Sequence, residues 1–257
     1  MNPSADEPSI LRETSEWLVV DKPAGWHSVA LPSTNDDPSS ASRGDSSSAP
    51  DSGATVEAWL RRRKPELAAL HEAGLVHRLD RETSGCLLAA KHEGARAALR
   101  DAMSREDRAI RKVYLAVTAP GAPDAGSFTL HFHGRHKRSS KVTVSERGEA
   151  QERGRCRWSR ISRGEPGDLL EVELIGPGRR HQIRAGFAHL GFPLAGDALY
   201  GGGPPLPGLA GAALHAWMLE IDGGRVVSPA PAPWSQVHEA IRRRLSGTSS
   251  ETPTSAG

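Results

Sequence analysis

A carboxylate set among cationic side chains is the first candidate for chemistry in this sequence. Asp80 stands between Arg78 and Arg81 in residues 77–85 (HRLDRETSG). Nearby positive charges favour the ionised form of a carboxylate, which could then act as a nucleophile or a general base at neutral pH. Taken alone, the same residues are also typical of a surface turn in which Asp80 pairs with an arginine. The choice between these two interpretations depends on the rest of the chain.

The segment at residues 77–85 resembles the signature of the RluA-type pseudouridine synthases. In that family His-Arg-Leu-Asp is followed by two variable residues and then by Thr-Ser-Gly, and all seven fixed positions match here. Further segments resemble family landmarks in the family's order. They are residues 20–25 (VDKPAG), 112–116 (KVYLA), 178–184 (GRRHQIR), 196–201 (GDALYG) and 214–216 (LHA). The resemblance therefore extends over a whole catalytic domain.

The resemblance implies an activity and a set of catalytic residues. In this family an essential aspartate takes part in breaking the glycosidic bond of a uridine, after which the base rotates and C5 joins C1′. Asp80 would be that catalytic carboxylate, and it either attacks C1′ or removes a proton from C2′. Tyr114 would stack on the uracil near C5, and Arg184 would pair with Asp80. The family reaction requires no cofactor and no metal.

RNA is the partner that the resemblance implies, as a stem-loop of rRNA or tRNA. The target base must leave its stack before its C1′ and C5 can be reached, and Arg78 resembles the family arginine that fills the resulting gap. The family's N-terminal S4-type module has no counterpart before Trp17, so we expect the catalytic domain itself to select the target. The residues predicted to contact RNA are Arg78, Arg81, Arg138, Lys141, Arg179 and His181.

Other polar clusters are predicted to have structural or weaker roles. The spacing of His131, His133 and His136 lacks cysteine or carboxylate support for zinc, so we interpret these histidines as part of a basic hairpin near phosphate. Tyr200 is predicted to be structural. His77 and His215 are predicted to be hydrogen-bonded histidines near the cleft rather than acids or bases.

Composition narrows the class of protein. The formal net charge of +2 is only mildly basic, and two cysteines are too few for a disulfide framework or a four-thiolate zinc site. The first residues carry no apolar leader, and no stretch of about 18 apolar residues occurs. We therefore expect a cytoplasmic monomer that does not enter a membrane.

The elements that must position these residues follow from periodicity. Helices are predicted at residues 55–71, 92–104, 178–190 and 234–245, and strands at residues 17–20, 86–90, 112–119, 127–132, 141–145, 155–161, 169–175 and 214–221. This pattern predicts an α+β fold, with a mixed, mostly antiparallel sheet flanked by helices around a central cleft. One catalytic domain is predicted at residues 15–245, between unstructured tails at residues 1–14 and 246–257. A Ser-rich loop at residues 31–53 is also predicted to be disordered.

Two other functions compete with the isomerase. An inactive RNA-binding or ribosome-assembly protein on the same fold would be expected to lose Asp80, Tyr114 or Arg184, and all three are present. A hydrolase with an aspartate nucleophile would need an oxyanion-hole turn or a metal cluster. The sequence contains no recognisable motif for an oxyanion-hole turn or for a metal cluster.

Overall fold

The computed structural model describes residues 7–30, 54–134, 140–164, 167–231 and Trp234. Within these ranges the chain forms ten strands and three α-helices. The helices are α1 (Val56–Arg63), α2 (Glu93–Ser104) and α3 (Gln182–His189). The strands are β1 (Ser9–Glu13), β2 (Trp17–Lys22), β3 (Ser84–Ala90), β4 (Arg111–Thr118), β5 (Ala125–His133), β6 (Thr143–Ser145), β7 (Arg153–Ser162), β8 (Asp168–Ile175), β9 (Leu214–Ile221) and β10 (Gly224–Val227).

The strands form one sheet in the order β1-β2-β3-β9-β4-β8-β7-β5-β6, with β10 added to β9. Neighbouring strands are antiparallel except β3 and β9, which pair in parallel over only two residues. The strands β3, β9, β4 and β8 at the centre of the sheet are almost wholly buried. Both faces of these strands are covered, so their sequences are nearly continuous apolar runs. The α+β prediction is confirmed.

Local sequence accounts for the helix boundaries. The Thr55 side chain accepts a hydrogen bond from the Ala58 amide and begins α1, and the His92 side chain does the same for the Ala95 amide at the start of α2. Helix α1 ends at Arg63 because Pro65 disfavours the helical conformation for the residue before it. The single helix predicted over residues 55–71 is therefore wrong beyond Arg63, where short 3-10 turns follow.

Two strands escaped the sequence analysis. The prediction of an unstructured tail at residues 1–14 is wrong for Ser9–Glu13, which pairs with β2 at the edge of the sheet. Strand β10 was also not predicted. An edge strand needs only one partner and a short segment, so its own apolar content is a weak signal. The predictions for residues 31–53, 235–245 and 246–257 lie outside the described residues.

The join between β3 and β9 sets the centre of the cleft. Gly85 has φ +108°, and a Cβ atom there would lie 2.2 Å from the Ala216 carbonyl oxygen. Only glycine allows the two backbones to come this close. The glycine that ends residues 77–85 therefore brings the loop before β3 beside β9 and β4.

Candidate functional site

The loop that carries Asp80 is held by the turn after β2. The Ser28 hydroxyl donates to the Leu79 carbonyl and accepts from the Leu79 amide, both at 2.9 Å. The Gly25 amide donates to the Arg81 carbonyl, and the Thr83 amide donates to the Asp80 carbonyl. Backbone atoms on both sides of Asp80 are thus fixed by hydrogen bonds, which restricts where its carboxylate can point.

Lys22 is a fully buried cation beneath the same loop. Its Nζ atom donates to the carbonyl oxygens of Pro23, Trp26 and Arg81 at 3.0, 2.7 and 3.1 Å. Burial lowers the pKa of Lys22 to about 7, while the negative charge of Asp80 acts in the opposite direction. The side chain joins the turn after β2 to the Asp80 loop, and in its protonated form it places a positive charge near the carboxylate.

Arg184, in the first turn of α3, contacts two carboxylates. Its Nη1 donates to Asp80 Oδ2 at 3.1 Å, while Nε and Nη2 donate to Asp197 at 2.7 and 2.8 Å. Burial alone would lower the pKa of Arg184, but Asp197 and Asp80 raise it above its usual value. The predicted contact between Arg184 and Asp80 is present. The bidentate partner, however, is the wholly buried Asp197.

Tyr114 lies in the pocket that opens above Asp80. It is on β4 and is almost completely buried, and it lines the pocket together with Asp80, Leu174, Ile183 and Leu214. Burial raises the pKa of Tyr114, with the negative charge of Asp80 adding to the effect, so the phenol is neutral. The pocket thus offers an aromatic ring and aliphatic side chains beside a carboxylate, an environment suited to a flat, mostly uncharged ring.

His181 precedes α3 and faces the same carboxylate. Its backbone is left-handed, with φ 52°. The ring places Nε2 3.7 Å from Asp80 Oδ1 and Nδ1 2.9 Å from the Tyr200 hydroxyl. Burial lowers the pKa of His181, the charges of Arg184 and Arg180 add to this, and Asp80 opposes it. The imidazole is therefore neutral at physiological pH.

The predicted RNA-binding residues divide into two groups. Arg78, Arg179 and His181 line the pocket. Arg81 is exposed and donates to the Gly25 carbonyl, and Lys141 is exposed on the approach to β6. Neither of these two side chains lines the pocket, and Arg138 lies outside the described residues.

Charged side chains of both signs line the pocket. Asp80 supplies a carboxylate, and Arg78, Arg179 and Arg184 supply guanidinium groups, of which that of Arg78 is the most exposed. A polyanion would meet cations first, and an uncharged ring that enters deeper would meet the carboxylate.

Two further motif histidines are structural. His77 Nε2 accepts from the Leu88 amide, and burial lowers the pKa of His77 to about 3. His215 Nε2 lies 3.2 Å from the Ser228 carbonyl and Nδ1 lies 2.8 Å from the Ser84 hydroxyl. Burial lowers the pKa of His215 to about 4. Both rings are neutral and hold strands together.

Sequence reasoning missed Asp197 and Lys22 as members of the site, and it gave Tyr200 a structural role only. Asp197 and Tyr200 lie in a segment that was noted as a landmark, residues 196–201, and Lys22 lies in another, residues 20–25. A charged residue next to glycine or proline in such a turn was the available signal. Nothing in the sequence indicated that these turns meet beside Asp80.

Neither a metal site nor a membrane-spanning helix is present within the described ranges. No group of three histidine, cysteine, aspartate or glutamate side chains is arranged to hold a metal ion. None of the helices there has the length and apolar character needed to cross a bilayer.

Sequence comparisons relate the chain to known enzymes. The family described as RNA pseudouridylate synthase matches residues 16–189. A protein of Xylella fastidiosa named ribosomal large subunit pseudouridine synthase D is 35% identical over 91% of this chain and 69% of that protein. A protein of the same name from Xanthomonas campestris pv. campestris is 34% identical over 96% of this chain and 71% of that protein.

Solved structures of similar fold include two human proteins. Human RNA Pseudouridylate Synthase Domain Containing 1 has a TM-score of 0.62 at 20% identity and covers 99% of this chain and 100% of its own. Human RNA Pseudouridylate Synthase Domain Containing 4 has a TM-score of 0.61 at 20% identity and covers 91% of this chain and 93% of its own. At this identity the likeness concerns the fold.

Proposed function

This chain belongs to the RNA pseudouridylate synthase family and is an RNA pseudouridine synthase, and we propose that it isomerises specific uridines of large-subunit ribosomal RNA with Asp80 as the catalytic carboxylate. The observation that carries the assignment of Asp80 is its position in the pocket, partly exposed and bound to Arg184. The names of the relatives from Xylella and Xanthomonas favour large-subunit rRNA over tRNA.

Asp80 acts on the sugar of the flipped nucleotide. The reaction breaks the bond between N1 and C1′ and forms a bond between C5 and C1′, while C5 loses a proton and N1 gains one. The carboxylate either attacks C1′ directly or removes a C2′ proton, and both routes require an ionised Asp80 beside the ribose. Arg184 holds that carboxylate in place through the hydrogen bond from Nη1 to Oδ2.

Tyr114 serves as the surface under the uracil. Its ring lines the pocket, and its raised pKa makes it a neutral phenol in the free protein. A neutral phenol is a weak base, so Tyr114 stacks on the base near C5 as a neutral ring and does not act as a phenolate that takes the C5 proton. Among the described residues, the apolar surface of the pocket consists of this ring and the neighbouring aliphatic side chains.

The arginines at the rim contact RNA. Arg78 is exposed at the mouth of the pocket, where a guanidinium can replace the stacking and pairing that the extruded base loses. Arg179 also lines the pocket, and its guanidinium is the second group assigned to phosphate contact. This arrangement explains how a chain with a net charge of only +2 engages RNA, because the cations are concentrated where the backbone must pass.

Tritium release from uridine C5 tests the proposal. Transcripts of large-subunit rRNA and of tRNA carrying C5-tritiated uridine are incubated with wild type and with Asp80→Asn. We expect release from rRNA, and a loss of about 1000-fold or more in the variant, because the amide can neither attack nor accept a proton. Release from tRNA alone would contradict the rRNA assignment, and equal release by the variant would contradict the role of Asp80.

An inactive RNA-binding protein on the same fold was the alternative to the isomerase in the sequence analysis, and the same experiment distinguishes the two. Such a protein would bind the transcripts with a salt-dependent affinity and release no tritium from any of them. Asp80, Tyr114 and Arg184 lie together in one pocket, which favours the enzyme.

A further inference from the structure

Tyr200 lies behind His181, on the side away from Asp80. Its hydroxyl oxygen accepts a hydrogen bond from the Val142 amide at 2.9 Å and lies 2.9 Å from His181 Nδ1. The two rings meet edge to face, with centroids 5.7 Å apart, and the guanidinium of Arg184 lies over the Tyr200 ring. Tyr200 is therefore held by three neighbours, and two of them, His181 and Arg184, also face Asp80.

The hydrogen bonds at Tyr200 favour one tautomer of His181. The Val142 N–H is a fixed donor, so the phenolic oxygen is already an acceptor. Burial raises the pKa of Tyr200, so the phenol keeps a proton that it can donate. Within the described residues, His181 Nδ1 lies at hydrogen-bond distance to receive it. A neutral imidazole that accepts at Nδ1 carries its hydrogen on Nε2.

The other side of the ring favours the same tautomer independently. Nε2 faces Asp80 Oδ1 at 3.7 Å, and a carboxylate stabilises an N–H that points towards it. The distance is longer than a hydrogen bond in the free protein. Contacts of this kind often shorten when the substrate is bound.

We propose that Tyr200 is a positioning residue for the reaction, and that it acts through His181 by holding Nε2–H towards Asp80. The carboxylate then has two oriented donors, with Arg184 on Oδ2 and His181 on Oδ1. This proposal rests on the proposed function of Asp80. It gives His181 a second task besides RNA contact, and it gives Tyr200 a catalytic consequence without contact to the substrate.

Tyr200→Phe tests the hydroxyl while keeping the ring that contacts His181 and Arg184. We expect kcat for tritium release to fall about tenfold, the effect of one lost hydrogen bond, with KM nearly unchanged. If Tyr200→Phe lowered kcat only because the Val142 amide loses its acceptor, the same fall in kcat would also occur in a protein without His181. In the His181→Ala background the Tyr200→Phe change should therefore have no further effect on kcat. Independent, multiplying effects of the two changes would overturn the proposal.

Substitutions at His181 distinguish two roles of this residue, the donation of a hydrogen bond from Nε2 and the support of a left-handed turn. Gln places an amide N–H near the position of Nε2, whereas Asn places it near Nδ1 and suits the left-handed backbone better. We expect His181→Gln to retain more kcat than His181→Asn, and His181→Asn to resemble His181→Ala. The reverse order would mean that His181 serves the turn alone, and the proposal would be wrong.

The tautomer can be observed without any activity. Nitrogen NMR of the labelled imidazole should show His181 protonated at Nε2 in wild type and a larger share of the Nδ1–H tautomer in Tyr200→Phe. An Nδ1–H tautomer in wild type would overturn the proposal even in an active enzyme. If wild type released no tritium while the Nε2–H tautomer was present, the proposed function would fail and the hydrogen-bond assignment would stand.

Discussion

Arg184 is the cation that binds both carboxylates of the site. It is shared between Asp80, which is partly exposed, and Asp197, which is completely buried. Because Asp197 takes two of the guanidinium donors, the one that reaches Asp80 is fixed in direction. Removal of one partner from a buried ion pair lowers the free energy of unfolding strongly, because the other charge stays buried without a partner. Asp197 is therefore expected to control both the stability of the site and the orientation of Arg184.

Asp197→Asn tests this. The substitution keeps the size of the side chain but turns one acceptor into a donor that faces the guanidinium. We expect the free energy of unfolding to fall by about 3 kcal/mol, and kcat to fall by about tenfold or more as Arg184 reorients. Urea unfolding and tritium release measure the two effects. Asp107→Asn, at an exposed pair with Arg105, is the control and should change neither. Wild-type kcat in Asp197→Asn would contradict the role of Asp197.

The join between β3 and β9 is the element on which the site depends. It is the parallel contact in an otherwise antiparallel sheet, and it rests on Gly85 lying against the Ala216 backbone. Residues 77–83 lead directly into β3, and Lys22, Gly25 and Ser28 hold them from the other side. Any widening of this join would move the Asp80 loop away from α3.

Gly85→Ala should separate the strands. The added Cβ would meet the Ala216 carbonyl oxygen at 2.2 Å on a backbone with φ +108°, so we expect a loss of about 3 kcal/mol or more in unfolding free energy. Gly191→Ala is the matched control, because Gly191 has φ +87° and nothing within 4 Å of an added Cβ. The unfolding free energy of the control should fall by only about 1 to 2 kcal/mol, the cost of placing alanine on a backbone with positive φ. Equal losses would show that the close approach is not the cause.

Two neutral histidines, the buried His215 and the half-buried His77, affect the stability of the whole molecule. His77 binds the Leu88 amide and His215 joins β3 to the segment after β10, and burial lowers the pKa of both, to about 3 and about 4. In the unfolded chain each histidine takes up a proton near its ordinary pKa of about 6.5. The unfolded state therefore binds more protons between that pH and the folded pKa values, and stability is lost as the pH falls.

The free energy of unfolding should fall by about 1.4 kcal/mol per pH unit for each histidine as the pH is lowered from about 6 towards 4. Urea unfolding at a series of pH values measures this slope. His215→Asn keeps a side chain that can accept from Ser84 but cannot take up a proton, so its slope should be smaller by the contribution of one histidine. An unchanged slope would mean that His215 is not the group that titrates.

The sequence by itself determined the composition of the catalytic loop, the order of the motifs and most of the buried strands. Those features are local: apolar runs of strand length and residues 77–85 at fixed spacing. Pro65 also ends α1 by a local effect, although the predicted helix ran through it. Edge strands such as β1 and β10 were missed because pairing on one side needs little apolar content.

Only the tertiary structure decided which side chains share charges and hydrogen bonds. Arg184 and Asp80 are 104 residues apart, and the resemblance predicted their contact. The sequence did not predict that Asp197 binds two of the guanidinium nitrogens, that Lys22 lies under the loop, or that the Tyr200 hydroxyl contacts His181. Such contacts depend on where turns from different parts of the chain meet, and a partner in space leaves no periodic pattern in the sequence. The pocket's charge, tautomer and geometry are therefore properties of the fold.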